Sequence, residues 1–424
     1  MLSAVCRYGA RFVPGLDAIV EQCRRRGQLV AGPHVAEFEE EFGRRLGSGR
    51  AVAVSCGRMA AYYIFRSLDL PPGSEVIFPA LTFWVVPEMA RQAGLRVAFA
   101  DVDPRTFNLD PGALERAITV RTRAVVPTHI YGLPGDMDEI MAIARRRGLR
   151  VVEDCAHALG ATYHGQPAGT FGDAALFSFQ VLKPLNTFGG GMAFARDRSL
   201  GERLAGMAAA EPWPSPREVM KRIRTGRLER LLMQPHAFSL TGYPLLLAAS
   251  FVHARPDVYM WERVRPLAPF PPSYRARYAN VQAAIGLAGL DRLAEWNERT
   301  RANARLLSRR LAGLTGVVTP PEPTDRVHVY YQYSAYVPDR EALVRRALRR
   351  GLDLESHHMD VCPELPLFGE SKVDAAGARR TAESVQIPVH PGLDPAAMER
   401  VADRVRRSLG RAAAPLPHAA GAQE

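Results

Sequence analysis

Residues 175–195 read ALFSFQVLKPLNTFGGGMAFA. The two apolar ends predict strands over 174–179 and 190–196, joined by a loop that carries Lys183 and a glycine cluster. Lysine is scarce in this chain. Only Lys183, Lys221 and Lys372 occur, and arginine supplies nearly all the remaining positive charge. Arginine keeps its proton near neutral pH and cannot form a Schiff base, whereas a desolvated lysine can. A lysine kept just past a strand end is therefore a candidate nucleophile. A surface cation is the plainer reading, and the neighbouring segments decide between the two.

Outward from this stretch, strands and helices alternate. RAVAVSCG (50–57) predicts a strand entering a glycine turn, and RMAAYYIFRSLDL a helix. EVIFPALTF (75–83), RVAFADVD (96–103), TRAVVPTHIYG (122–132) and RVVEDCAHALG (150–160) predict strands separated by helical segments. Such alternation calls for a mostly parallel sheet covered by helices, with ligands at the carboxyl ends of the strands. Ser55–Met59, Phe83, Asp154–His157 and Lys183 all fall just past predicted strand ends. Before the sheet, residues 1–50 read as helices. After it, 205–272 is rich in Pro, Arg and large apolar residues and breaks the pattern. A long helix starts near 278 and leads into a smaller α/β domain. The expected boundaries are a large domain over 1–272, a second part over 273–410, and a disordered Ala- and Pro-rich tail over 411–424.

Composition narrows the function classes. The chain has 424 residues, 47% hydrophobic and 23% charged, which suits a soluble α/β protein with a large core. A net charge of +11 is compatible with anionic partners. The cations are scattered along helix faces, however, and neither zinc-finger spacing nor an RNA-recognition signature occurs, so nucleic acid is not an expected partner. Cys6, Cys23, Cys56, Cys155 and Cys362 are odd in number and contain no CxxC pair. That disfavours a disulfide framework or a structural zinc site and suits a reducing cytosol. MLSAVCRYGARFVPGL is interrupted by arginine and proline and does not read as a signal peptide, and no apolar run is long enough to span a bilayer. The expected location is cytoplasmic.

Asp154 ends the strand RVVED. A carboxylate at a buried strand end needs a partner, and a helix cap or ion pair is the bland answer. The functional answer is a carboxylate that keeps a ring nitrogen protonated, as pyridoxal phosphate requires of its protein. With Asp154 and Lys183 in place, the sequence resembles the DegT/DnrJ/EryC1/StrS aminotransferases over roughly 25–200 and 273–405. GQLVAGPHVAEFEEEF, AVSCG, PALTFW, DVDPRTFNLDP, PTHIYG, VVEDCAHALGATYHG, FGDAALFSF, GGGM, RYANVQAAIGL and IPVHPGL stand in the family's order. The resemblance implies an α/β fold of the fold-type-I, aspartate-aminotransferase kind and pyridoxal 5′-phosphate as cofactor. It implies that Lys183 forms the Schiff base, Asp154 pairs with the pyridine nitrogen, Ser178 contacts the phosphate and Phe83 stacks on the ring. Gly57, Arg58 and Met59 would form the turn that cradles the phosphate, where helix N-terminal N–H groups bind anions. His157 would face the cofactor's 3-oxygen. Arg275 would reach the phosphate across the interface of a homodimer with shared sites. Gln282 matches a structural helix.

This chain departs from the family pattern at three places. His157 replaces Gln, Arg58-Met59 replaces a small Thr-Ala/Ser pair, and Arg275 replaces Asn. The retained lysine, where some relatives carry histidine and act as dehydratases, implies transamination. The expected reaction moves an amino group from glutamate or glutamine to a keto-sugar, with nucleotide-linked acceptors foremost. A cyclitol, a lipid-linked ketone and a non-catalytic regulatory role are the alternatives. GGGM lacks the context of a phosphate loop and reads as a tight turn. His357, His358, Asp360 and Cys362 suggest a metal site less than a loop near the substrate mouth, so no metal is expected. His129 and Tyr331 are candidate pocket residues. RLERLLMQ and the uncharged YPLLLAASFV (243–252) make peripheral membrane contact through 205–272 a further candidate, against a packed subdomain.

Overall fold

The computed structural model describes residues 4–9, 11–252, 263–356, 359–369 and 373–410. The N-terminal part contains α1 (Leu16–Arg25) and α2 (His34–Leu46), followed by β1 (Arg50–Val54), α3 (Gly57–Ser67), β2 (Glu75–Pro79), β3 (Leu81–Thr82), α4 (Val85–Gln92) and β4 (Arg96–Ala100). Then come α5 (Pro111–Ala117), β5 (Thr122–Val125), α6 (Met137–Arg147), β6 (Arg150–Asp154), the hairpin strands β7 (Thr162–Tyr163) and β8 (Gln166–Pro167), β9 (Ala174–Ser178) and β10 (Gly191–Ala195). All seven strands expected from 50 to 196 join one sheet in the order β1-β10-β9-β6-β5-β2-β4. Its pairings are parallel except those of β10, which runs against both β9 and β1.

Both faces of this sheet are covered, and the residues alternate accordingly. Val52 and Val54 of β1, Leu176 of β9 and Ala193 of β10 face the core under α3 and α4. Ala51, Ala53, Phe177, Met192 and Phe194 face the opposite core under α2. A strand buried on both sides reads as a continuous apolar run, which is why these segments show no polar alternation.

Beyond the sheet, α7 (Arg198–Ala210) leads into three helices from the irregular region, α8 (Pro216–Met233), α9 (Pro235–Leu240) and α10 (Gly242–Val252). Pro at N1 and a Ser215/Glu218 capping box fix the start of α8. The long α11 (Asn280–Leu311) places Ala283, Leu290 and Leu293 against the sheet-side core. It carries Ala304, Leu307 and Leu311 into the core of the second part. There β11 (Arg326–Val327) joins the β7–β8 hairpin. β12 (Tyr333–Ala335) pairs with β14 (Val385–Ile387), packed on α12 (Arg340–Arg349) and α14 (Pro395–Leu409). β13 (Asp360–Val361) pairs with β3 of the large sheet's side, and α13 (Ala376–Thr381) precedes β14.

The first residues are extended rather than helical. Val5 bridges Leu352, and Arg7 forms a buried ion pair with Asp353, with its Nε 2.9 Å from Oδ2. The beginning of the chain thus packs on the C-terminal core. Among the described residues no helix is long and apolar enough to cross a membrane. The expected tail over 411–424, and His357 and His358, lie outside the described residues.

Candidate active site

Six strands run in the same direction, so their carboxyl ends share one edge of the sheet, and a cleft of about 540 Å³ opens there. Ser55, Cys56, Gly57 and Arg58 follow β1. Thr82 and Phe83 follow β2, Thr128 and Ile130 follow β5, Asp154 and His157 end or follow β6, and Ser178 ends β9. All of them line the cleft with Lys183. The antiparallel β10 begins at this edge, which brings Gly189 and Gly190 into the same wall.

Lys183 is half-buried in the cleft, and its ammonium pKa falls to about 8. Burial is the main cause. Asp154 opposes the shift by attraction, and Arg58 adds to it by repulsion. The Lys183 Nζ sits 4.7 Å from the centre of the Tyr331 ring. Asp154 is buried. Loss of solvent raises its pKa, and the Ala156 N–H (3.0 Å to Oδ1), Lys183 and His129 pull it back. A buried carboxylate that still titrates high is incompletely compensated, so it gains from a further cationic N–H donor.

The turn after β1 opens α3 with Cys56 as N-cap and no side-chain cap hydrogen bond. A Cβ on Gly57 would lie 3.0 Å from the Ser178 Cβ, so glycine lets the helix start approach the end of β9. Arg58 projects into the cleft, donates to the Tyr274 hydroxyl and lies 5.7 Å from the Phe83 ring centre. Met59 behaves differently. Its side chain is fully buried in the core behind the turn, and its N–H donates to the Cys56 carbonyl at 3.1 Å. The His157 ring stacks on Tyr331 at 4.0 Å and 15°.

Arg275 does not line the cleft. Its Nε donates to Glu211 at 2.6 Å, and Glu211 also accepts from the Tyr63 hydroxyl at 2.8 Å. The Arg275 side chain is 55% exposed, so it remains reachable from outside this subunit. Gln282 donates to the carbonyls of Thr187 (3.0 Å) and Gly189 (3.2 Å), holding the glycine turn as expected of a structural helix.

Tyr331 lines the cleft, but His129 does not. Its Nδ1 accepts from the Gly135 N–H at 3.1 Å, and Nε2 donates to Glu153 at 2.9 Å. Glu153 also accepts from the N–H groups of Gly169, Phe171 and Gly172, each at 2.7 Å. His129, Glu153 and Cys155 lie close enough to suggest a metal. Hydrogen bonds already occupy the Glu153 oxygens, however, and burial pushes the Cys155 thiol pKa far up, so the trio is packed structure. Cys362 donates to the Thr82 carbonyl at 3.3 Å, and Asp360 sits in the pairing with β3. Both are therefore in the fold's framework.

Several lining residues escaped the sequence reading because they arrive from distant segments. Tyr8 comes from the N-terminal segment and donates to Glu355 at 2.9 Å. Arg222, Glu229 and Met233 come from α8, and Tyr274 from the loop before α11. Only the spacing of Arg222, Glu229 and Met233, at i, i+7 and i+11 on one helix stripe, was a usable signal.

The profile of the DegT/DnrJ/EryC1/StrS aminotransferase family matches residues 16–406. The chain belongs to that family. It is 30% identical to the dTDP-4-dehydro-2,3,6-trideoxy-D-glucose 4-aminotransferase of Saccharopolyspora spinosa, over 93% of this chain and 94% of that one. It is 27% identical to a pleiotropic regulatory protein of Geobacillus stearothermophilus, over 92% and 94% of the two chains. Among solved structures, DesV of S. venezuelae, crystallised in complex with a ketimine intermediate, superposes with a TM-score of 0.72 at 28% identity, over 94% of this chain and 99% of that one. The fold is that of the fold-type-I pyridoxal-phosphate enzymes, and the protein is a pyridoxal-phosphate-dependent aminotransferase.

Proposed function

We propose that this aminotransferase moves an amino group from glutamate or glutamine to a keto-sugar, with a nucleotide-linked sugar as the first acceptor class. The observation that carries the reading is the meeting of half-buried Lys183, with its pKa lowered to about 8, and buried Asp154, with its pKa raised, in a single cleft. Burial favours the free amine that Lys183 needs for Schiff-base chemistry, and it leaves Asp154 a carboxyl that a protonated ring nitrogen would draw back to its ionised form. The cleft volume suits a cofactor plus one small substrate.

The residues present fit pyridoxal phosphate. In this reading Lys183 Nζ holds the cofactor covalently, Asp154 receives the ring N–H, and Phe83 supports the ring. Ser178 and the start of α3 at Gly57 take the phosphate, with Arg58 adding a charge-assisted contact. His157 donates toward the 3-oxygen. The cofactor, when bound, supplies an electron sink that acidifies the donor's α-carbon. Lys183 Nζ, once freed, would serve as the base that takes the donor's α-proton in the first half-reaction and, in the reverse half-reaction, as the acid that protonates the acceptor carbon. Arg222 supports a phosphorylated acceptor by placing a guanidinium in the wall supplied by α8. The uncovered apolar residues of α8–α10 favour a lipid-linked ketone as second acceptor class. Arg275, exposed beside Tyr274, supports a homodimer with shared sites.

The experiment is a screen of keto-sugar nucleotides with glutamate as donor, following 2-oxoglutarate. Turnover with at least one nucleotide sugar is expected. Turnover confined to free cyclitols or lipid-linked ketones would replace the acceptor class, and none with any ketone despite bound cofactor would favour the regulatory alternative.

A further inference from the structure

Nine large hydrophobic residues are exposed among the described residues, and six of them fall between 228 and 251: Leu228, Leu231, Leu232, Leu240, Leu245 and Phe251. Such crowding on one short stretch marks a surface that meets something apolar. The geometry of α8 sharpens this. At 100° per residue, Arg217, Lys221 and Arg224 share one helix face with Leu228, Leu231 and Leu232, and all six are exposed. The opposite side buries Val219, Ile223 and Gly226, and Arg222, Glu229 and Met233 line the cleft. The outward face is therefore cationic along its first turns and apolar along its last.

Charge chooses the occupant. The outer face of α8 carries the exposed cations Arg217, Lys221 and Arg224, while Arg222 lines the cleft and Arg227 pairs with Asp17. Glu218 closes the capping box with Ser215, and Glu229 faces the cleft. α9 and α10 carry no Asp, Glu, Lys or Arg. A second copy meeting this face would bring the same cations against it, and like charges repel. An anionic lipid surface satisfies both halves at once, since its headgroups pair with the arginines and its acyl boundary takes the leucines.

We infer that the outer face of α8–α10 docks on an anionic membrane surface, and that α8 thereby brings one wall of the Lys183 cleft to the lipid. The docking holds whichever keto acceptor the enzyme uses. α10, eleven residues long, is too short to span a bilayer and suits an interfacial position.

The test is co-sedimentation of the full-length protein, loaded with cofactor, with vesicles of equal parts phosphatidylglycerol and phosphatidylcholine. Pelleting is expected at low salt, with release at high salt and little binding to pure phosphatidylcholine. Two variants separate the parts: Lys221→Glu with Arg224→Glu, and Leu228→Glu with Leu232→Glu and Leu245→Glu. Each should lower vesicle partitioning at least ~10-fold, since one cation near an anionic surface contributes about a factor of five. Both should keep the cofactor's visible absorbance and thermal midpoint, which excludes misfolding as the cause. Wild-type protein that stays in the supernatant at low salt overturns the inference. So does equal binding to neutral vesicles, or self-association in sedimentation velocity that the leucine variant abolishes, which would make the face a contact between copies.

Discussion

The cleft holds two side chains whose surroundings oppose their ordinary charges. Lys183 loses solvent and so gives up its proton more readily than a surface lysine, and Asp154 loses solvent and holds its proton more tightly. Each is the largest charge-specific influence on the other's drift. Borohydride reduction of the loaded enzyme should therefore fix the cofactor on the Lys183 peptide, and Lys183→Ala should lose both the label and turnover while keeping the fold. Label on the Lys221 peptide instead would refute the assignment. The pH dependence follows from the sign of the shift. With the Lys183 pKa near 8, the free amine that captures the cofactor becomes dominant only above that pH, so uptake by cofactor-free protein should rise from pH 7 to 9 and then level. Asp154 raises that pKa, so Asp154→Asn should move the uptake profile to lower pH and cut turnover at least ~10²-fold, the scale of a lost preorganised charge. An unmoved profile with normal turnover would remove Asp154 from the site. That these two residues meet in one cleft was legible in the sequence, because each falls just past a strand end on the same edge of a parallel sheet. That His129 stays out of it was not. Its position past β5 is set by the strand, but its direction is set by Glu153. Glu153 points to the opposite sheet face from Asp154 by the two-residue strand period and draws in four donors.

At the scale of elements, the site depends on backbone approaches that leave no room for a side chain. Gly190 sits at φ 101°, and a Cβ there would lie 2.1 Å from the Tyr278 ring. Tyr278 in turn donates to Thr187 at 2.6 Å, and Gln282 ties down the same turn. Gly190→Ala should cost about 1–3 kcal/mol from the left-handed backbone alone, with the ring clash in addition. Chemical denaturation should show the loss, and cofactor affinity should fall because Gly189 and Gly190 form part of the cleft wall. A variant with unchanged midpoint and affinity would mean the turn is compliant. The seven central strands could be read from sequence because burial on both faces forces unbroken apolar runs between helical segments. The region 205–272 could be read only as a break in that rhythm. Its helices have no repeating apolar stripe: α8 divides its circumference among core, cleft and solvent, and α10 is apolar all round. The first residues were misread as helical because their extended course is fixed by pairing with Leu352 and Asp353, far away in sequence.

At the scale of the molecule, the cleft draws on every part of the chain: Tyr8 from its start, the sheet edge, α8, the loop before α11, and Glu355 from the C-terminal part. α11, roughly 48 Å long at 1.5 Å per residue, links the cores of the two parts, so their relative placement governs how wide the cleft is. Within one subunit Arg275 has an acidic partner and stands outside the cleft, although the adjacent Ser273 and Tyr274 line it. In the proposed homodimer, an arginine held by Glu211 yet 55% exposed would be the one to serve a neighbouring subunit. If sites are shared, Arg275→Ala should weaken cofactor retention in the homodimer more than it lowers thermal stability. Mixing Arg275→Ala with Lys183→Ala subunits should then regenerate a site that carries both residues, because each variant supplies what the other lacks. Under statistical exchange, half of the dimers are hybrids and each hybrid holds one intact site, so partial recovery of turnover is expected from two nearly inactive proteins. Recovery should track the extent of exchange measured by native mass spectrometry. Complete exchange without recovery would confine Arg275 to its own subunit, where its contact with Glu211 makes it a clamp on the loop before α11.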